Sequence, residues 1–166
     1  MLKRYFSDLE YEKLLNNDNL IDKSLEIITC LFNDKLDKGN SPYVLHLLKV
    51  YQGVNTYEEK IVALLHDVLE NTDTTKEDLE ELGFDKIIID AILVLTKKKG
   101  EDYRDYIERI INSNNKLAMN VKLEDLKCNM DIKKIKNPTT NDYERIHKRY
   151  EPAYDRILNK LNEEER

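Results

Sequence analysis

The chain is poor in the two residues that most often interrupt helices, since only four glycines and three prolines occur among its 166 residues. Between them, apolar residues recur at the spacing of an amphipathic helix, as at Ile21, Leu25 and Ile28. A β-sandwich needs many more tight turns, and a flexible linker needs many more glycines. The pattern therefore predicts an all-α fold, with seven or eight helices packed as one domain over residues 1–166.

Turn residues and helix caps set the limits of the predicted helices. Gly83 closes one helix, Thr56 and Glu59 form a capping box that opens another, and Pro152 is expected to kink the last. Residues 1–19 are polar and are expected to form a short helix or a loosely packed N-terminal arm. Residues 84–96 are rich in β-branched side chains, but their length favours a buried helix over a strand. The predicted helices cover residues 20–36, 43–52, 56–70, 75–83, 84–96, 102–111, 117–132 and 138–161.

Charge and composition exclude several classes of protein. The chain is 40% hydrophobic and 36% charged, a balance that is too apolar for a disordered protein. Its net charge of −6 disfavours binding to a nucleic acid polymer, which usually requires a basic excess. No segment is long and apolar enough to predict a signal peptide or a membrane span. Cys30 and Cys128 fit no disulfide framework, and reduced thiols indicate a cytoplasmic protein.

Two of the three histidines lie within the most apolar predicted helices. His46 lies in one of them, and His66 is followed directly by Asp67 in the next. Burying an ionised carboxylate beside an imidazole is unfavourable by several kcal/mol unless something compensates, and a divalent ion can do so. In a continuous helix Glu70 would share a face with His66, whereas Asp67 would point about 100° away. Asp125 occupies another position that the apolar pattern would bury. For each residue, the alternative is an ordinary hydrogen-bonded core side chain.

These residues follow the order H…HD…D and resemble the signature of HD-domain metal-dependent phosphohydrolases. Four flanking segments are similar to the branch of that family that hydrolyses (p)ppGpp. Residues 63–72 resemble its string ALLHDVVEDT, and residues 121–129 resemble its string KLADRLHN. Residues 41–46 and 95–97 resemble two further segments, the second of them LTK. The resemblance extends from about residue 24 to residue 158, and it implies an all-α HD fold.

The resemblance also implies a metal site and an acidic pair beside it. The expected ligands of one divalent ion are His46, His66, Asp67 and Asp125. Mn²⁺ is the first expectation for this ion, and Fe²⁺, Zn²⁺, Ni²⁺ and Co²⁺ are alternatives. Glu70 and Asn71 occupy the positions of the acidic pair that acts on the attacking water. The hydrolase branch usually has Asp where this chain has Asn71, and an amide can orient a water but cannot take its proton.

The substrate implied by the resemblance is a small phosphorylated nucleotide, with removal of the 3′-pyrophosphate of (p)ppGpp as the leading reaction. The residues expected to contact it are Lys38, Tyr43, Thr96, Lys97, Lys122 and Asn129. Three alternatives stay open: hydrolysis of another phosphoester such as a nucleoside monophosphate or NADPH, a metal-bound nucleotide-binding protein with little turnover, and a helical interaction domain. The oligomeric state is open as well, and a homo-oligomer is one alternative.

Overall fold

A computed structural model of the chain describes residues 2–164, and only the backbone of Glu164. All regular elements in this part of the chain are helices, and apart from an isolated β-bridge between Leu36 and Pro42 it contains no β-structure. Its α-helices are α1 (Asp8–Leu15), α2 (Leu20–Leu31), α3 (Tyr43–Gly53), α4 (Tyr57–Leu65), α5 (Val68–Asn71), α6 (Lys76–Glu81), α7 (Lys86–Leu95), α8 (Tyr103–Asn112), α9 (Lys116–Met130), α10 (Thr140–Arg145) and α11 (Glu151–Glu164). Short 3₁₀ segments cover Leu2–Tyr5 and Ile132–Lys134, and a π-helical segment covers Ile146–Tyr150. The all-α prediction is confirmed.

Each of the eight predicted helices is present. The structure has more helical segments than predicted for two reasons. Residues 1–19 contain α1, and its side chains Tyr11 and Leu14 are buried, so this part of the described chain is a packed helix and not a loose arm. Two predicted helices are interrupted, one between α4 and α5 and one between α10 and α11. No helix within residues 2–164 is long and apolar enough to cross a membrane.

Helix α4 is the centre of the domain. Its residues 61–65 are completely buried, and it packs against α2, α3, α7 and α9. The Thr56 hydroxyl accepts a hydrogen bond from the Glu59 N–H, and the Glu59 carboxylate accepts one from the Thr56 N–H. Such a cap stabilises a helix by about 1 kcal/mol. The helix that carries the His-Asp pair is therefore held by neighbours on several sides and by its own first turn.

The last predicted helix changes its winding just before Pro152. A proline lacks an N–H, and its ring collides with the carbonyl one turn earlier, which here belongs to Lys148. The chain widens into a π-helical turn just before this point, where the Glu151 N–H donates to the carbonyl of Ile146. The segment Ile146–Tyr150 packs against α9, and α11 packs against α8 and α9. The predicted distortion is thus a π-helical turn that lies beside the helix of Asp125.

Candidate metal centre and adjoining cavity

The chain leaves helical geometry at the His-Asp pair. Helix α4 ends at Leu65 and α5 begins at Val68, and Asp67 between them has φ −100° and ψ −2°. The prediction of one continuous helix over residues 56–70 is therefore wrong. In a continuous helix Asp67 would point away from His66, but its Oδ2 lies 3.3 Å from the His66 Nε2. The interruption turns the two neighbouring side chains towards the same point.

Four side chains from three parts of the chain meet at this point. His46 comes from α3 and Asp125 from α9, and both helices pack against α4. The His46 Nε2 lies 3.2 Å from the Asp125 Oδ1 and 3.9 Å from the Asp67 Oδ2. The His66 Nε2 lies 3.8 Å from the Asp125 Oδ1. All four candidate ligands are thus brought together, and ligand atoms of His46, His66 and Asp125 lie within 4.8 Å of one another.

The hydrogen bonding of His66 fits a metal ligand. Its Nδ1 lies 2.8 Å from the Ala63 carbonyl, which can only accept, so Nδ1 carries a proton. Its Nε2 is buried and has no hydrogen-bond partner. In the neutral imidazole this atom holds a lone pair that faces the carboxylates. Two imidazoles and two carboxylates form a donor set that suits Mn²⁺, Fe²⁺, Zn²⁺ or Ni²⁺.

The charges around His66 are unbalanced without an ion. Burial lowers the pKa of His66, but the carboxylates of Asp67 and Asp125 outweigh burial and raise the pKa to about 9. The two carboxylates thus favour a proton on this imidazole, and they would equally favour a metal ion that displaces the proton.

Lys122 and Asn129 orient Asp125 along one face of α9. The Lys122 ammonium donates to the Asp125 Oδ2 at 2.8 Å, and the Asn129 amide donates to the Oδ1 at 2.6 Å. Burial raises the pKa of Asp125, but Lys122 and the two imidazoles hold it well below its usual range. Both residues were predicted to contact substrate, and the structure places them beside a candidate metal ligand on the wall of the same cavity.

Tyr43 orients the second carboxylate. Its hydroxyl donates to the Asp67 Oδ2 at 2.5 Å, and its ring stacks on Phe32 with the ring centroids 5.2 Å apart. Burial and the nearby Asp67 carboxylate raise the pKa of Tyr43, so the hydroxyl stays protonated and acts as a donor. Tyr43 was predicted to contact substrate, and it also lines the cavity.

The candidate ligands lie on the wall of a cavity of about 380 Å³. Most of the side chains predicted to act on substrate line it. Thr96 does not line it, because its hydroxyl turns back at the end of α7 and donates to the carbonyl of Ile92. The predicted residues in the cavity wall are Lys38, Tyr43, Glu70, Asn71, Lys97, Lys122 and Asn129.

The cavity wall also contains residues that sequence reasoning did not assign to the site. Arg145 ends α10, Tyr150 ends the π-helical segment, and Lys134 ends the 3₁₀ segment after α9. Tyr103 and Tyr106 come from α8, and their three-residue spacing on one helix face is typical of ordinary core side chains. Basic side chains thus gather at the cavity although the whole chain carries a net charge of −6.

Gly39 allows one rim of the cavity to close. Its backbone passes so near the carbonyl of Lys134 that an added Cβ would lie 2.3 Å from that oxygen. Any larger residue would push the loop outward, and with it the neighbouring Lys38. The close approach of this loop to the 3₁₀ segment Ile132–Lys134 therefore depends on glycine.

Glu70 and Asn71 are held in different ways at the end of α5. The Glu70 Oε2 accepts a hydrogen bond from the backbone N–H of Lys97 at 3.0 Å. The Asn71 Oδ1 accepts one from the Lys35 ammonium at 2.8 Å, and this assignment is firm because lysine can only donate. Lys35 also lies over the rings of Phe32 and Tyr43 and does not line the cavity. The Asn71 oxygen is thus engaged by a lysine outside the cavity wall, and Glu70 is the carboxylate of the pair.

Comparison with known proteins finds likeness at the level of the fold. The sequence matches no protein-family model and no curated protein. Among solved structures, the chain is similar to a metazoan ortholog of SpoT that hydrolyses ppGpp and plays a role in starvation responses. The TM-score is 0.63 at 20% sequence identity, over 87% of this chain and 97% of that one. The two proteins share a fold over nearly their whole lengths.

Proposed function

We propose that the protein is a metal-dependent phosphohydrolase of a phosphorylated nucleotide, and that it removes the 3′-pyrophosphate of (p)ppGpp. The observation that carries this proposal is the convergence of His46, His66, Asp67 and Asp125 at the wall of a cavity that also holds Glu70 and several cations. The similar fold of a metazoan protein that hydrolyses ppGpp supports the choice of substrate.

The four converging side chains would hold one divalent ion, with Mn²⁺ as the proposed metal. When bound, such an ion lowers the pKa of its water towards neutrality and offsets the charge of a phosphate group. Tyr43 orients Asp67, while Lys122 and Asn129 orient Asp125. These hydrogen bonds hold the carboxylate oxygens in place and so reduce the reorganisation that ion binding requires.

Glu70 is proposed to take the proton of the attacking water. Its Oε2 is fixed by the Lys97 N–H, which leaves the Oε1 able to accept. The water oxygen forms a bond to the phosphorus that carries the 3′ oxygen of the ribose, and the bond between that phosphorus and the 3′ oxygen breaks. The products are pyrophosphate and a nucleotide whose 3′ oxygen takes up the proton that Glu70 removed from the water, which restores the Glu70 carboxylate.

Binding of such a polyanion is assigned to the basic side chains of the cavity. Lys38, Lys97 and Arg145 reach it from three separate parts of the chain, and Lys134 adds a fourth cation near the rim. They supply local positive charge that the net charge of the chain conceals. The cytoplasm, where nucleotides are abundant and Cys30 and Cys128 would stay reduced, is the proposed compartment.

The direct test is turnover of a nucleotide panel by purified protein loaded with Mn²⁺. We expect ppGpp to yield GDP and pyrophosphate, with little release from NADPH or a nucleoside monophosphate. Chelation should abolish the reaction, and reloading with Mn²⁺, Fe²⁺, Zn²⁺, Ni²⁺ or Co²⁺ identifies the preferred ion. Protein that binds metal but releases nothing from any nucleotide would contradict the proposal, and turnover of NADPH alone would reassign the substrate.

Asn71 favours one alternative function, a metal-bound nucleotide-binding protein with little turnover. The variant Asn71→Asp distinguishes such a protein from an enzyme. We expect this variant to change turnover of ppGpp by only a few-fold, because Lys35 would pair with the new carboxylate and lower its basicity. Steady-state kinetics with metal-loaded protein measures the effect. A rise of about a hundredfold or more would mean that the unmodified chain lacks its base and acts mainly by binding.

A further inference from the structure

Two buried side-chain atoms within residues 2–164 have no hydrogen-bond partner, and both belong to residues of the same cavity wall. One is the His66 Nε2, which the candidate metal accounts for, and the other is the hydroxyl of Tyr103. A buried hydroxyl without a partner lowers the stability of a protein, so such atoms are uncommon unless a ligand or an ordered water satisfies them. Tyr103 therefore requires its own explanation.

The surroundings of Tyr103 indicate what its partner is. Tyr103 begins α8, and its ring contacts those of Tyr106 and Tyr150 with centroids 6.0 and 6.1 Å away. The Lys122 ammonium lies 5.0 Å from the centroid of the neighbouring Tyr106 ring, and burial raises the pKa of Tyr103. The group is thus a neutral donor beside a buried ammonium and near the metal centre. An anionic oxygen is the partner that such a pair of donors favours.

We propose that the Tyr103 hydroxyl donates a hydrogen bond to a phosphoryl oxygen of the substrate, beside the Lys122 ammonium. This proposal rests on the proposed function, because it assigns a contact within the same cavity. It makes Tyr103 a binding residue that selects for a phosphoryl group near the metal. A phosphoryl oxygen of the substrate then completes the hydrogen bonding of the Tyr103 hydroxyl.

Tyr103→Phe tests the proposal because it removes one oxygen atom and keeps the ring. Removing a donor that has no protein partner should leave the unfolding temperature unchanged or raise it, and Mn²⁺ uptake should stay the same. Affinity for inorganic pyrophosphate and for ppGpp should fall about tenfold or more, as expected for a lost hydrogen bond to a charged group. Calorimetric titration of metal-loaded protein and thermal unfolding give these quantities without relying on turnover.

Tyr106→Phe is the matched control on the same helix. The Tyr106 hydroxyl donates to the carbonyl of Leu95 at 2.5 Å, so its loss leaves a buried acceptor unpaired. This variant should lower the unfolding temperature and weaken pyrophosphate binding far less than Tyr103→Phe does. The two tyrosines are therefore expected to give opposite results.

Several outcomes would overturn the proposal. Unchanged affinity in Tyr103→Phe would mean that an ordered water satisfies the hydroxyl, and a lowered unfolding temperature with unchanged affinity would mean that its role is structural. Failure of the unmodified protein to bind either probe would overturn it as well. Pyrophosphate binding that depends on Tyr103, without turnover of any nucleotide, would support the contact while contradicting the proposed function.

Discussion

His66→Gln is expected to remove metal binding and to lower nucleotide hydrolysis on the order of a thousandfold, since a bound divalent ion stabilises developing charge by several kcal/mol. The His66 Nε2 is buried, has no hydrogen-bond partner and lies 3.3 Å from the Asp67 Oδ2, so the substitution removes one of the four candidate ligand atoms from the centre of the site. Metal content after gel filtration and release of pyrophosphate from ppGpp measure the two effects. Thermal unfolding in the presence of chelator checks that the variant is folded.

His147→Gln is the matched control for this experiment. His147 is the third histidine of the chain, and it is exposed and paired with Glu151 one turn further along, at 2.8 Å. We expect metal content and turnover to be unchanged in this variant. If His66→Gln retained a full equivalent of metal and normal turnover, the assignment of the metal centre would be wrong.

Glu70→Gln is expected to lower kcat by about a hundredfold to ten-thousandfold while metal content stays the same, since that is the range typical of a lost general base. A glutamine carbonyl can still accept from the Lys97 N–H, which holds the Glu70 Oε2 at 3.0 Å, so the side chain should keep its position. The substitution therefore removes basicity with little change of geometry. Single-turnover kinetics with metal-loaded protein measures the chemical step separately from product release.

Glu80→Gln provides a carboxylate control away from the cavity. Glu80 lies on α6, is about half exposed and pairs with Lys76, so its amide should affect neither metal content nor kcat. A Glu70→Gln enzyme with normal kcat would show that another group accepts the proton. A Glu70→Gln protein that loses its metal would instead make Glu70 part of the metal site.

Local sequence patterns predicted the helices well because helix caps and apolar spacing involve residues only a few positions apart in the chain. The Thr56–Glu59 capping box predicted the start of α4, and the apolar positions around Asp125 predicted that this carboxylate is buried. The resemblance to the HD-domain signature also identified the four converging side chains, because the metal ligands in that signature occur in a fixed order along the chain. None of this depended on knowing how the helices cross.

The predictions that were wrong or incomplete depended on contacts between distant residues. The turn of Asp67 towards His66 arises where α4 ends, and the Tyr43 hydroxyl from α3 holds the carboxylate. The pairing of Asn71 with Lys35 joins residues 36 positions apart. The unpaired hydroxyl of Tyr103 is visible only once α8 lies against α9, since an apolar helix face does not reveal which of its polar atoms find a partner.

Helix content and burial of the apolar faces were thus readable from residue order alone, because short-range spacing governs them, and the resemblance to the HD-domain signature supplied the metal-ligand candidates. The direction in which each polar side chain is held could not be read in either way. Contacts between separate parts of the chain govern those directions, as in the contact of His46 on α3 with Asp125 on α9 and that of Tyr43 with Asp67. Such contacts form between side chains that helix packing brings together, and their geometry is set by that packing and not by spacing along the chain.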